Sequence, residues 1–240
     1  MKKKLKKSGG QSLEDVVVDI KSGPQHREPK TKQERRELLD KPTRGNNQIY
    51  SSAFEEKIMT EPRTGLEMED ATKHKVPIHM YSDLCQLSKK HGALPMLANL
   101  FKTQGDQHII LLQDPQDMTS GHWFSISRNL PKREIYFFST YGGKPDVEKI
   151  SWISPEDLKK SGQDLNIVND SFRTLQQHGW TIYYNDYPYQ KENVKSATCG
   201  IYTAAFLRSG KNPDEFEKDT LKIIKSGKNP AIVFYRKYFR

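Results

Sequence analysis

Between Gln107 and Thr140 the chain runs through three segments rich in β-branched and aromatic residues, QHIILLQ, GHWFSISRN and EIYFFST. Only DPQDMTSG and LPKR separate them, and both are turn sequences. Side chains of this type fit a pleated, half-buried surface, so the segments read as adjacent strands of an antiparallel meander. Everything else has to pack around that sheet. Upstream, YSDLCQLSKKHG and LPMLANLF place apolar residues at helical spacing. Downstream, PEDLKKSG and DSFRTLQQHG each begin with charge and end on glycine, as short helices do. GWTIYYNDY reads as a further strand, and CGIYTAAFLRSG, DEFEKDTLKIIKSG and NPAIVFYRKYF as closing helices. In CGIYTAAFLRSG the apolar face is assigned to Ile201, Ala204, Ala205 and Leu207. The expected class is α+β, a central, mostly antiparallel sheet flanked by helices.

The first fifty residues differ in kind. They carry thirteen Lys/Arg against seven Asp/Glu and a single aromatic, Tyr50, so most of the chain's net charge of +9 lies there. Such a segment cannot bury enough apolar surface to offset chain entropy. Residues 1 to about 45 therefore read as a flexible basic arm with a short helix near TKQERRELLD, and residues 46–240 as one domain. The arm's charge suits phosphate neutralisation, which makes non-specific DNA a candidate partner beside a polypeptide substrate. FYRKYFR at the end interleaves aromatic and basic residues, a pattern that serves a packed helix as well as nucleic acid.

No stretch approaches the ~20 apolar residues that span a bilayer, and the early lysine run is not followed by a signal-peptide core. The two cysteines, Cys85 and Cys199, form neither a disulfide framework nor a metal-binding spacing. Glycine-rich phosphate loops are missing too. A soluble, intracellular, reducing setting with no cofactor and no metal is expected, and a monomer is the starting assumption.

The chemistry centres on KSATCGIYTAAFL. Free cysteines are most often small buried hydrophobes. Cys199, however, opens a helix, where unpaired N–H groups and the positive dipole end stabilise a thiolate. Ser196, Ala197 and Thr198 leave its approach uncrowded, and Gly200 leaves room for a substrate carbonyl near the backbone. A thiol nucleophile needs a base, and His122 in SGHWFSI, at the start of a strand and directly after a glycine, is the best placed. The other histidines lie in polar stretches, at helix ends or, like His108, elsewhere on a strand. The next strand would bring Ser139, Thr140 and Tyr141 beside His122, none of them a carboxylate, and Asp146 follows only after a turn. Gln190, in the loop before the cysteine, can join the Cys199 amide as an oxyanion donor.

The ordered set GHW, a strand ending in FSTYGG, a loop glutamine and CG opening a helix resembles the Ulp-type and adenovirus-proteinase-like cysteine peptidases of clan CE. Within that group the chain is similar to the maturation proteinases of large DNA viruses, virophages and related elements, over roughly residues 77–207. The resemblance implies a papain-like-superfamily fold, Cys199 as nucleophile, His122 as general base, Trp123 packed beside the imidazole, and Gln190 with the Cys199 amide as oxyanion hole. It also implies cleavage after small residues of the Gly-Gly-X type, in a virion or host cytoplasm. The family places Asp, Asn or Glu where this chain has Ser139, seventeen residues after His122. Ser139 or Thr140 then orients the imidazole, another carboxylate substitutes, or the site works as a Cys–His dyad. Two other readings use the same residues: a protease that removes ubiquitin-like modifiers, and a non-enzymatic basic DNA-packaging protein with a degraded site.

Overall fold

The computed structural model describes residues 53–190 and 196–239. The proposed basic arm, which carries SGG at Ser8 to Gly10, and the start of the domain at residue 46 lie outside the described residues.

Five strands form one sheet in the order β1-β2-β3-β4-β5: β1 (Ile78–Met80), β2 (Gln107–Asp114), β3 (Asp117–Asn129), β4 (Glu134–Ser139) and β5 (Thr181–Tyr184). β2, β3 and β4 pair antiparallel through the short turns expected of them. The two flanking strands, β1 and β5, run parallel to their neighbours. These parallel edges were not readable as such, because each returns through helices whose course the local pattern does not set.

Both faces of the sheet are covered, and strict alternation along the strands divides the core in two. Ile110, Leu112, Phe124, Ile126, Ile135 and Phe137 point to one side, against α3 (Tyr81–His91), α4 (Ala93–Gln104) and α7 (Ile167–Gln177). Ile109, Leu111, Trp123, Tyr136 and Phe138 point to the other, against α8 (Cys199–Ser209), α9 (Pro213–Lys225) and α10 (Pro230–Tyr238). Because both side-chain sets find apolar neighbours, QHIILLQ is a continuous apolar run rather than an alternating one. Two short helices, α5 (Lys149–Trp152) and α6 (Pro155–Lys160), fill the passage from β4 to α7.

Two helices precede the sheet that the apolar pattern did not announce, α1 (Ala53–Thr60) and α2 (Gly65–Ala71). The second has a legible start: Thr64 accepts from the Glu67 amide while the Glu67 carboxylate accepts from the Thr64 amide, a reciprocal capping box. α8 also departs from expectation. Every residue from Cys199 to Leu207 is buried, not one face alone, because the sheet, α2 and α10 surround it. A helix buried all round needs no polar face. In FYRKYFR the aromatic side packs: Phe234 stacks on Phe216 with ring centroids 5.4 Å apart, while Arg236 reaches Glu55 at 3.0 Å.

Candidate active site

The site lies where the N-terminus of α8 meets the first half of β3. Three contacts set that meeting. The Trp123 main chain is gripped from two successive turns of α8: its amide lies at the Cys199 thiol, and its carbonyl accepts from Thr203 Oγ1 at 3.2 Å. The Ala197 amide donates to the Met59 carbonyl at 2.8 Å, tying the approach to α8 onto α1. Cys199 therefore sits beside the residue that follows His122, buried, at a helix start.

His122 is buried and its ring is held by three groups. Nε2 is 2.9 Å from Ser139 Oγ, and Ser139 Oγ donates to Glu148 Oε2 at 2.5 Å. Glu148 Oε1 is itself 3.7 Å from Nε2. Tyr141 stacks on the imidazole with centroids 4.3 Å apart and 24° between planes. Ser139 has one hydroxyl proton, and a carboxylate can only accept it. Towards the ring the serine oxygen is thus an acceptor, so Nε2 carries the hydrogen and Nδ1 keeps its lone pair. Among the described residues Nδ1 has no hydrogen-bond partner.

Register explains why Ser139 reaches His122. Phe124 is the partner of Ser139 across β3 and β4, and His122 lies two residues further along β3 on the same face. Asn185, just past β5, fixes Ser139 from both sides. Its Oδ1 accepts from the Ser139 amide at 2.9 Å and its Nδ2 donates to the Ser139 carbonyl at 2.6 Å. Glu148 arrives from the turn after β4, and the residues around it are anchored elsewhere. Asp146 accepts from Tyr81 Oη at 2.5 Å and from the Asn169 amide at 2.8 Å. Lys149 Nζ donates to the carbonyls of Leu165 and Gln163, at 2.5 and 3.2 Å.

Several sequence assignments change place. Trp123 does not pack beside the imidazole. Adjacent strand residues point to opposite faces, so its ring sits in the other half of the core, with Nε1 donating to the Arg63 carbonyl at 2.9 Å. Tyr141 occupies the place assigned to it. Gly200 does not open space for substrate: a Cβ there would meet Arg63 Cβ and Met68 Sδ at 2.9 Å, so the glycine lets α2 and its approach pack closely on α8. Thr140 does not reach His122 but donates to Gln190 Oε1 at 3.2 Å. Gln190 is buried near the cysteine loop, its amide on the Thr140 carbonyl and its Nε2 donating to the Ser196 carbonyl. One Nε2 hydrogen remains for another acceptor. Tyr141 was expected beside His122, though not as a stack on its ring, while the Asn185 clamp and Glu148 were missed altogether; the strand parity of Trp123 was the one clue available to its own misplacement.

The imidazole and the thiol both rest neutral. Burial lowers the His122 imidazole to about 3. Burial also pushes the Cys199 thiol up, with the Glu148 charge adding to it, while the amides of Trp123, Gly200 and Cys199 pull the other way. A neutral imidazole and a neutral thiol are groups between which the proton still has to move. Cys85, the other cysteine, is buried within the first core and raised to about 11. Among the described residues no group of three or more His, Cys, Asp or Glu could hold a metal ion, and no helix is long and apolar enough to cross a membrane.

No protein-family model matches the sequence, and no curated protein matches it. Two solved structures of SUMO protease Ulp1 are similar at 13% identity, one with its catalytic cysteine oxidized to a sulfinic acid and one to a sulfenic acid. Each covers 88% of this chain and 98% of its own, with TM-scores of 0.36 and 0.33. Likeness at that level carries no weight for the chemistry, which rests on the site's own geometry.

Proposed function

We propose that the chain is a cysteine endopeptidase with Cys199 as nucleophile and His122 as general base. The observation that carries this is the buried imidazole whose Nε2 is held by Ser139 while its basic Nδ1 is unpartnered among the described residues, one residue from the amide that touches the thiol. A structural histidine in a core would be expected to satisfy both nitrogens. The thiol proton passes to Nδ1 as sulfur attacks the scissile carbonyl carbon. The resulting oxyanion is met by the Cys199 amide and the remaining Gln190 N–H. Collapse expels the amine, which takes the proton from Nδ1, and water then hydrolyses the thioester with His122 again as base.

The resemblance that GHW, the loop glutamine and CG carry implies a substrate cut after small residues, Gly-Gly-X, in the maturation of viral capsid or core precursors. The charge of the first 45 residues is compatible with work beside DNA in a virion or host cytoplasm. A peptide carrying the chain's own SGGQ sequence, Ser8 to Gln11, provides the test. The expected result is cleavage after the second glycine by the native chain and none by Cys199→Ala. Equal cleavage by both, or cleavage only of a folded modifier fusion, would count against the maturation reading.

A further inference from the structure

The sequence offers no acid at the end of β4, yet a carboxylate is present in the site. We infer that Glu148 is the positioning residue for His122, acting through Ser139, so that serine and glutamate together do what one strand-end carboxylate would do. Its effect on catalysis rests on the peptidase reading; its effect on the imidazole does not.

Ser139 cannot turn away from this task, since Asn185 holds its amide and carbonyl, and its hydroxyl accepts from the Tyr141 amide at 3.4 Å as well as from His122. All three hydrogen-bonding positions of the hydroxyl are then used: two acceptances and one donation, the donation going to Glu148. Were Glu148 absent, the serine proton would be as well placed on Nε2, and the imidazole would hold its hydrogen on Nδ1, the tautomer that cannot accept from a thiol. With Glu148 present, the serine is committed as acceptor. The carboxylate also lies close enough to Nε2, 3.7 Å, to stabilise the imidazolium that forms when Nδ1 is protonated. Glu148 is buried, so water screens that charge little.

The test combines nitrogen NMR of the His122 ring with turnover of the SGGQ peptide, in the full chain. The Cys199→Ala background is used for NMR so that chemistry does not intervene. Expected is an Nε2–H imidazole with an unprotonated Nδ1, shifting toward Nδ1–H in Glu148→Ala as well as in Ser139→Ala. Glu148→Gln keeps the shape but removes the charge, and should lower kcat about 100-fold or more with KM within about twofold. Ser139→Asp placed on Glu148→Gln returns a carboxylate to the strand end and should recover about tenfold or more of that loss. A merely structural Glu148 would leave the tautomer and the kcat-to-KM split unchanged and would not be rescued. An Nδ1–H ring in the unmutated pair, or kcat within about threefold in Glu148→Gln, overturns the inference. If no form turns the peptide over but the ring is Nε2–H and responds to Glu148→Ala, the relay stands and the peptidase reading fails.

Discussion

Gly121→Ala is expected to lower the free energy of unfolding by about 3 kcal/mol or more, read by urea titration, and to remove turnover of the SGGQ peptide with it. Gly121 sits at φ 148°, directly before His122 and opposite the irregularity in register between Gln113 and Asp114. A Cβ on it would fall inside the Leu112 carbonyl oxygen and within 3.0 Å of Gln113 Cα and the Asp114 amide nitrogen. All three are main-chain atoms of β2, so no side chain can rotate aside. The strand pair must open instead, at the end that carries His122. A change below about 0.5 kcal/mol, the range of an ordinary surface substitution, would show that the bulge is more tolerant than its geometry allows.

Lys149→Met should cost about 3–5 kcal/mol at neutral pH, for a different reason. Lys149 is buried; its ammonium caps the carbonyls of Leu165 and Gln163, approaches Tyr81 Oη at 3.3 Å, and is the main favourable charge acting on Asp146. Methionine fills the same space but takes the ammonium donor from the Gln163 and Leu165 carbonyls, the latter keeping only Tyr81 Oη at 2.7 Å, and leaves the Asp146 carboxylate without its cation. The Asp146 carboxyl is already raised by burial, and losing Lys149 raises it further. A carboxyl whose folded value exceeds its unfolded one favours the fold at low pH and loses that contribution as pH rises through the folded value. The deficit of Lys149→Met should therefore be largest near pH 7 and shrink as pH falls toward 4, and Asp146→Asn on the same background should reduce it at pH 7. A deficit independent of pH would mean that the cost is all in the lost carbonyl donors. Because Asp146 and Lys149 bracket Glu148, the variant should also loosen the carboxylate that faces Ser139.

Much of the fold was legible because its central strands are consecutive. QHIILLQ, GHWFSISRN and EIYFFST announce themselves by composition, and their turns leave little choice of partner. His122 and Ser139 come together for the same reason, on neighbouring strands two residues apart in register, and Cys199 begins the helix that packs on the main chain of Trp123, the next residue along. Glu148 was not legible. It comes from an irregular turn, nine residues beyond Ser139, and its direction is fixed by Asp146 and Lys149 reaching α3 and the Leu165 segment, contacts that no local pattern encodes. Asn185 is hidden likewise, since a side chain that completes a strand pair by mimicking a peptide leaves no periodicity. Trp123 is the opposite case. Strand alternation already places it across the sheet from His122, and the pairing of the two in GHW reflects chain order, not contact. The all-round burial of α8 could not be read from CGIYTAAFL, because small and aromatic residues such as Ala204, Ala205 and Phe206 suit one buried face as well as two.

The most direct measurement is stoichiometric trapping of the thiol by a peptidyl Gly-Gly chloromethyl ketone, followed by intact mass and peptide mapping. The expected result is one adduct per chain, on Cys199 and not on buried Cys85, formed far more slowly in His122→Ala. Adducts divided between the two cysteines, or an equal rate without the imidazole, would contradict a nucleophile served by His122.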